Sequence, residues 1–394
     1  MARKRMKRVA IDCPKISFFQ NDLEQCFQGI FHYIREHQDW DVVLNEYWFS
    51  LNCRYCTYEE LRQQSIDGII FPGADQEKSE FVRKMGIPAV DYTGYADDQF
   101  FPSVQTDNRR IGQMAFEHFA ERGFRNYAFF GPKDRGWSYE RGMSFKEAVV
   151  KAGYHCFLNM PLIHTPFSHQ GGWISSDDLF VWIRDLPKPV AIFVCHDPCA
   201  VDILHACQMS KIETPYEVAI LGVNNTVSLC EAFRPGISSI DIDHELQGYR
   251  TAQLLDKLMR SPKYTELHQR IPPSYVVTRA STDILAVEDQ AVAQAMQFIA
   301  EHFTEPISAP DAAKAAGISH SHLGRRFKSC VNHTIGAEIR RRRLKKAKEL
   351  LLDTNMSLSE IAKRAGYCHA NYFVNTFVKQ EGISPAAWRK QRKD

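Results

Sequence analysis

The sequence predicts two regions of different fold class: an α/β region over roughly the first 280 residues and an all-α region at the carboxyl end. In the first region, short apolar runs alternate with amphipathic stretches, which predicts doubly wound parallel sheets. In the second region, the apolar residues follow helical spacing around two glycine-centred turns. Charge divides the chain at the same place. Residues 286–394 hold 18 Lys and Arg against 11 Asp and Glu, a net +7 in a chain of net +2. This asymmetry is typical of a nucleic-acid-binding module joined to an acidic domain.

The apolar runs of the first region are three to six residues long and are bounded by glycine, proline or aspartate, which is the pattern of buried parallel strands. They lie at 42–44, 68–71, 88–90, 127–130, 190–194 and 218–223. Between the runs, segment 111–123 places Ile111, Met114 and Phe119 at helical spacing and ends at Gly123, a helix C-cap residue. The region therefore reads as repeated βα units.

Polar side chains follow four of these strands, at the sheet edge where parallel α/β proteins bind ligands. They are Asp91, the segment 132–145 with Trp137 and Arg141, the pair His196 and Asp197, and the pair Asn224 and Asn225. Carboxylates, carboxamides and a guanidinium suit sugar hydroxyls, and an indole ring suits the CH face of a sugar. The alternative is that Asp and Asn at these positions only cap the following helices.

Residues 7–282 resemble the periplasmic-binding-protein-like sugar sensor of LacI/GalR-type regulators. The matching segments are 87–93, 104–131, 141–145, 191–204, 218–226 and 271–282. The resemblance implies a bilobed domain, 1–284, that closes on a sugar, with lobe crossovers near 104–108 and 237–243.

The same resemblance implies which residues bind the ligand, with Trp137 as the stacking residue. These are Asp91, Trp137, Arg141, Asp197 and Asn224. His196 and Asn224 depart from the family's usual Asn-Asp and Asp-Asp pairs, so the identity of the sugar stays open.

The carboxyl region contains two helix-turn-helix patterns, at 308–332 and 356–388. Gly317 and Gly366 are the turn residues, and each second helix has a buried pair at i, i+4 spacing: Leu323 with Phe327, and Phe373 with Phe377. A helix of about 16 residues, roughly 24 Å long, connects the two units and carries four consecutive arginines, 340–343.

Segments 343–351, 357–379 and 382–390 resemble the AraC-type DNA-binding domain, which implies that 285–394 binds double-stranded DNA through both second helices. The expected base-reading residues are His320, Ser321, Arg325, His369, Asn371 and Asn375. Arginine suits a guanine edge and asparagine an adenine edge, because each makes two hydrogen bonds there. Arg341 is the expected phosphate contact, and a solvated helix face is the alternative for the arginine run.

The order of the two regions is similar to that of bacterial regulators of xylose operons. It implies a transcriptional activator with a monosaccharide effector, D-xylose or another sugar, that acts as a homodimer and contacts RNA polymerase. We expect no cofactor, no metal and a cytoplasmic location. The mean hydropathy of −0.36 and the lack of long apolar runs argue against a membrane span, and the odd count of 11 cysteines fits reduced thiols.

The rival class is an enzyme, either a sugar-acting α/β enzyme with a DNA-binding tail or a DNA-alkylation-repair methyltransferase. The repair reaction needs a Pro-Cys-His-Arg nucleophile, which the sequence lacks, and it also lacks a Gly-x-Ser-x-Gly elbow and a Walker loop. Cys53 and Cys56 form the one C-x-x-C pair. A structural, redox or metal-binding role is open for them, although no second such pair completes a four-ligand site.

Overall fold

The computed structural model describes residues 5–12, 21–37, 39–45, 61, 63–71, 76–92, 101–162, 176–261, 264–284, 286, 289–331, 333–354 and 356–393. Cys53 and Cys56 lie outside the described residues. The chain divides into two compact units, Met1–Ile284 and Leu285–Asp394. Across the ranges above, no helix combines the length and the apolar character that a membrane crossing requires.

The first unit is built on two six-stranded sheets within its described part. The strands are β1 (Lys7–Asp12), β2 (Trp40–Asn45), β3 (Gly68–Phe71), β4 (Ala89–Asp91), β5 (Ser103–Thr106), β6 (Asn126–Phe130), β7 (Cys156–Asn159), β8 (Val190–Val194), β9 (Val218–Val223), β10 (Ser238–Ile240), β11 (His268–Ile271) and β12 (Val276–Val277). The first sheet has the order β2-β1-β3-β4-β5-β11 and the second β7-β6-β8-β9-β10-β12. All described pairings are parallel except β10 with β12.

Helices surround these sheets, as the βα alternation predicts. They are α1 (Asn21–His37), α2 (Gln76–Met85), α3 (Asn108–Ala120), α4 (Gly136–Lys151), α5 (Ser176–Asp185), α6 (Asp197–Met209), α7 (Val227–Cys230) and α8 (His244–Arg260). Each of the six predicted apolar runs lies in a strand or overlaps one, and every residue of β8 and β9 is buried. The predicted α/β fold class is therefore confirmed for this unit.

The chain passes between the two sheets three times. It leaves the first sheet after β5 and enters the second lobe at α3, and it returns after β10, because α8 packs on α1 of the first lobe. The third passage runs from β11 in the first sheet to β12 in the second. The sequence did not indicate this third passage, because β11 and β12 are short and have no continuous apolar run.

Helix α8 docks on the first lobe through two glycines. A Cβ atom at Gly248 would lie 1.7 Å from the carbonyl oxygen of Cys26 in α1, and one at Gly29 would lie 1.8 Å from the carbonyl oxygen of Glu245. Both neighbours are backbone atoms, which cannot move aside without shifting a whole helix. The close approach of α1 and α8 therefore depends on the absence of side chains at these two positions.

We expect Gly248→Ala to destabilise the first unit by about 1 to 3 kcal/mol, because the added methyl group forces α8 away from α1. The free energy of unfolding from urea denaturation measures the effect. Gly324→Ala is the matched control: it lies in a helix with open space around the added atom, so it should be neutral or stabilising by about 0.5 to 1 kcal/mol. Equal effects of the two variants would contradict the packing argument.

The second unit is all-α in its described part. Its helices are α9 (Gln290–His302), α10 (Ala309–Ala315), α11 (His320–Val331), α12 (Ile335–Asp353), α13 (Leu358–Arg364), α14 (Ala370–Glu381) and α15 (Pro385–Lys393). The pairs α10–α11 and α13–α14 form the two predicted helix-turn-helix units. Their turn residues, Gly317 and Gly366, have φ values of +68° and +84°, which favour glycine. The predicted fold class is confirmed here as well.

The connecting helix α12 is longer than predicted, with 19 residues and a length of about 28 Å. It begins earlier in the chain because the Thr334 side chain accepts a hydrogen bond from the Ala337 amide and caps the helix. Ile335 and Ile339 in its first turns are buried. The first turns of α12 therefore belong to the core of the unit.

A buried carboxylate, Glu338, organises the arginine run of α12. The Arg341 guanidinium donates from Nε and Nη2 to the two carboxylate oxygens at 2.8 and 2.7 Å, and Arg342 Nε donates at 2.9 Å. His333 Nε2 lies 3.0 Å from Glu338 Oε2. Burial opposes ionisation of the carboxyl group, but the hydrogen bonds and charges of Arg341 and Arg342 outweigh it, and the pKa of Glu338 falls to about 2.

Glu338→Gln should destabilise the second unit by about 1 to 3 kcal/mol near neutral pH, because it removes the charge that pairs with two arginines. The folded-state pKa lies below the unfolded value of about 4.5, so the carboxylate stabilises the fold above that value. This contribution is lost as pH falls through about 2. Urea denaturation at several pH values should show the difference between the wild type and the variant shrinking as pH falls from 4.5 to 2. Exposed Glu305→Gln is the control, expected within about 0.5 kcal/mol.

Candidate functional site

The two lobes of the first unit meet where their parallel strands end. Asn224 follows β9 in the second lobe, and its Nδ2 donates to Asp22 Oδ2 at the start of α1 in the first lobe, at 3.3 Å. Its φ of +95° turns the chain sharply at this point. Asn224 Oδ1 is buried and has no hydrogen-bond partner among the described residues. This oxygen is available to accept a hydrogen bond from a ligand between the lobes.

His244 offers a second open acceptor at the return passage. Gln247 Nε2 donates to the carbonyl oxygens of Tyr92 and Val104, which leaves Gln247 Oε1 to accept from His244 Nδ1 at 3.0 Å. The neutral ring then carries its proton on Nδ1, and Nε2 is an acceptor. Nε2 is buried and has no partner in the described part of the chain, and burial lowers the pKa of His244.

Arg141 forms one wall of the site and is almost fully buried. Its Nε donates to Asn108 Oδ1 at 2.8 Å, and its Nη1 donates to the Cys195 carbonyl oxygen at 2.6 Å. Its guanidinium lies 5.0 Å from the centroid of the Trp137 ring, and the centroid of the His196 ring lies 5.6 Å from that of Trp137. The structure therefore brings together two of the residues predicted to bind the ligand, Trp137 and Arg141, and adds His196.

Asp197, which is predicted to contact the ligand, has protein partners of its own, and its contact with the ligand stays a prediction. It is fully buried at the start of α6, and both carboxylate oxygens have protein partners: the Thr226 amide at 2.7 Å and the Ser239 hydroxyl at 2.6 Å. Burial raises its pKa to about 6 against the opposing effect of these hydrogen bonds. Asp197 thus holds the turn after β9 in place, and so positions Asn224.

Asp91 is buried at the end of β4, as the strand-end argument predicts, and Asp12 is buried at the end of β1 in the same sheet. Three residues near the cleft were not predicted from the sequence: Asp22, His244 and Ser138. None of them directly follows a predicted apolar run, because all three lie in the first turns of helices: Asp22 in α1, Ser138 in α4 and His244 in α8. The sequence DIDHELQ at 241–247 gives one usable signal, a histidine directly after the predicted crossover at 237–243.

The second unit presents its predicted base-reading residues to solvent. His320, Ser321 and Arg325 are exposed on or at the start of α11, and His369, Asn371 and Asn375 are exposed at the start and on the outer face of α14. The opposite faces of both helices are anchored by buried phenylalanines. Each helix is therefore held from behind while its polar face is open to a partner.

The four arginines of α12 differ in their surroundings. Arg341 pairs with Glu338, Arg342 shares that carboxylate, and Arg343 donates to the carbonyl oxygens of Phe303 and Glu305 at 2.7 Å each. Arg340 is exposed. Arg341, the predicted phosphate contact, is exposed as well, but it also pairs with the buried carboxylate of Glu338. Its contact with a phosphate stays a prediction, and Arg340 offers a second exposed guanidinium on the same helix.

Each of the two units matches a known protein family. The periplasmic binding protein-like domain family matches residues 116–282, and the helix-turn-helix domain family matches residues 312–391. The cellobiose complex of a transcriptional regulator (19% identical, TM-score 0.55) and a ribose-bound LacI-family regulator from Enterococcus faecium (21% identical, TM-score 0.53) share the fold. These two solved structures match 71% and 70% of this chain, and 86% and 98% of their own.

Other relatives match both units together. The solved structure of a xylose-binding transcription activator is 27% identical, with a TM-score of 0.71 over 97% of both chains. The xylose operon regulatory protein of Haemophilus influenzae is 32% identical over 93% of this chain and 94% of its own length. That of Escherichia coli K12 is 30% identical over 93% of both. With its sensor-like first unit and its two helix-turn-helix units, the chain therefore belongs to the xylose operon regulatory protein family of transcription regulators.

Proposed function

We propose that the chain is a transcriptional activator whose effector is D-xylose, bound between the lobes of residues 1–284, and whose operator is bound by residues 285–394. The observation that carries the proposal is the pair of buried acceptors, Asn224 Oδ1 and His244 Nε2, which lack partners in the described residues. A buried acceptor without a partner costs about 1 to 3 kcal/mol. Sugar hydroxyls are donors that would satisfy both.

The remaining groups of the site also suit a sugar. Trp137 presents an aromatic ring, and the adjacent Arg141 is held in place by Asn108 and the Cys195 carbonyl, so the wall does not have to be ordered on binding. The choice of D-xylose rests on the relatives, one of which is described as xylose-binding. Another monosaccharide is the alternative, and the titration below includes it.

The proposed mechanism is a shift between open and closed lobes. Side-chain contacts that join the lobes within the described residues include Asn224 with Asp22, and Arg270 of β11 with Glu140 of α4 at 2.8 Å. The Arg270–Glu140 ion pair is partly exposed, and such pairs contribute little by themselves. A sugar bound between Asn224 and His244 would touch groups that approach each other only when the lobes close, so it would favour the closed state.

We also propose that the regulator acts as a homodimer in the cytoplasm and contacts RNA polymerase. Support comes from the relatives, which are regulators of xylose operons, and from the two reading helices of one chain. We also propose that the chain is not an enzyme. The exposed polar faces of α11 and α14 support operator reading by His320, Ser321, Arg325, His369, Asn371 and Asn375.

His244→Phe tests the sugar site, because it keeps a ring of similar size and removes the open acceptor. Calorimetric titration of the full chain with D-xylose and a panel of other pentoses and hexoses should show a loss of about 1 to 3 kcal/mol in binding free energy. Operator affinity should rise with D-xylose in the wild type and less in the variant at the same sugar concentration. His205→Phe, on the exposed face of α6, is the matched control. Unchanged affinity for the sugar in His244→Phe would remove His244 from the site, and tighter binding of another sugar would replace D-xylose as the effector.

Arg325→Ala and Arg340→Ala separate base reading from phosphate binding. Arg325→Ala should cost about 1 to 3 kcal/mol on the operator and relax the preference at one base pair. Arg340→Ala should weaken operator and random DNA alike and reduce the salt slope by about 1. Arg341→Ala is a poorer test, because it also removes two of the hydrogen bonds to the buried Glu338 carboxylate. Binding curves at several salt concentrations measure both effects. A uniform loss in Arg325→Ala would assign that residue to phosphate contact instead.

A further inference from the structure

Three potential metal-ligand side chains converge at the end of β8, on the second-lobe side of the cleft. Each of Cys195, His196 and Cys199 offers one ligand atom, and these atoms lie within 4.8 Å of one another. Cys195 Sγ and His196 Nδ1 are 3.6 Å apart. In the described part of the chain this is the one group of three such residues. The sequence pattern C-H-x-x-C does not indicate a metal site by itself, because it is not one of a pair of C-x-x-C or H-x-x-x-H motifs.

The convergence follows from the strand-to-helix turn. Cys195 is the first residue after β8, His196 has an extended backbone and caps α6, and Cys199 is the third residue of that helix. The first helical turn therefore carries Cys199 back over the end of the strand. Both cysteines are almost fully buried, whereas His196 is partly exposed and gives an ion a path from solvent.

One of the three distances between the ligand atoms matches that expected around a tetrahedral ion, and the other two are within 4.8 Å. Bonds of about 2.3 Å to sulfur and about 2.0 to 2.1 Å to nitrogen, at the tetrahedral angle, place a thiolate and an imidazole nitrogen about 3.6 Å apart. Cys195 Sγ and His196 Nδ1 already have this separation. An ion on His196 Nδ1 would replace the hydrogen bond that this atom accepts from the Cys199 amide at 3.4 Å.

A buried hydroxyl group lies beside Cys195. Ser138 is fully buried, and its Oγ has no hydrogen-bond partner among the described residues. A Cβ atom added at Gly131 would lie 2.6 Å from both Ser138 Oγ and Cys195 Cβ, so the hydroxyl and the thiol flank the space that this glycine leaves. A water or hydroxide on the ion could donate to, or accept from, the Ser138 hydroxyl.

We propose that Cys195, His196 and Cys199 bind one thiophilic tetrahedral ion, Zn²⁺ in the first instance, with Ser138 holding the solvent ligand. Two thiolates and one imidazole form a ligand set that this ion prefers over Mg²⁺ or Ca²⁺. The two thiols and any protonated imidazole give up their protons to solvent on binding. The site adjoins the proposed sugar cleft, because the Cys195 carbonyl accepts from Arg141 and the His196 ring contacts Trp137. Its test is independent of sugar and DNA.

The test uses the full chain in a Cys53→Ser, Cys56→Ser background, which removes the C-x-x-C pair from the readout. The protein is kept reduced with a phosphine, stripped with a chelator and titrated with Co²⁺, followed by Zn²⁺. We expect one Co²⁺ per chain, with thiolate-to-cobalt charge-transfer absorption that Zn²⁺ abolishes. Cys195→Ser and Cys199→Ser should each weaken Zn²⁺ binding by at least about a hundredfold.

Two further variants distinguish the loss of a metal ligand from unfolding of the protein. His196→Asn removes the imidazole and keeps a good helix-capping side chain, so it should fold normally and still bind Zn²⁺ at least about tenfold more weakly. Cys207→Ser removes another buried thiol of α6 and should leave the affinity unchanged. Absence of the charge-transfer band, equal affinity in Cys195→Ser, or a Cys195–Cys199 disulfide that forms in air without uptake of metal would each overturn the proposal.

Discussion

The cleft of the first unit depends on the buried guanidinium of Arg141. A buried charge must be hydrogen-bonded to be tolerated, and this one is satisfied by Asn108 at the first passage between the lobes and by the Cys195 carbonyl at the end of β8. The same group lies against the ring of Trp137. One side chain thus joins a hinge segment, a strand end and an aromatic wall. A movement of any one of these three elements therefore shifts the guanidinium and its contacts with the other two.

Electrostatics has a parallel role in the second unit. Glu338 is a buried carboxylate that stays ionised because Arg341 and Arg342 pair with it. The four consecutive arginines look equivalent in the sequence, yet Arg340 and Arg341 are exposed, whereas Arg342 and Arg343 are partly buried. The positive charge available to DNA on this helix is therefore smaller than the run of arginines suggests.

The end of β8 carries a group of side chains that family membership alone does not explain. His196 lies there, and the cysteines at 195 and 199 place two sulfurs beside it. If these residues bind an ion as proposed, the same strand end contacts both the ion and, through Arg141, the sugar cleft. Binding of the ion by Cys195 and Cys199 would then alter the affinity of the cleft for the sugar.

The sequence by itself determined the fold class of both units, since buried strands and helices are encoded by local periodicity. It also indicated Arg141, Trp137 and the exposed faces of α11 and α14, because those positions follow from a strand end or a helical register. Only the tertiary structure showed that Asp197 accepts hydrogen bonds from Thr226 and Ser239, and that Arg341 pairs with Glu338. It also showed that His244 and Asn224 each have a buried acceptor atom without a partner among the described residues. Whether a polar group is satisfied depends on partners brought together from distant parts of the chain, and periodicity carries no information about them.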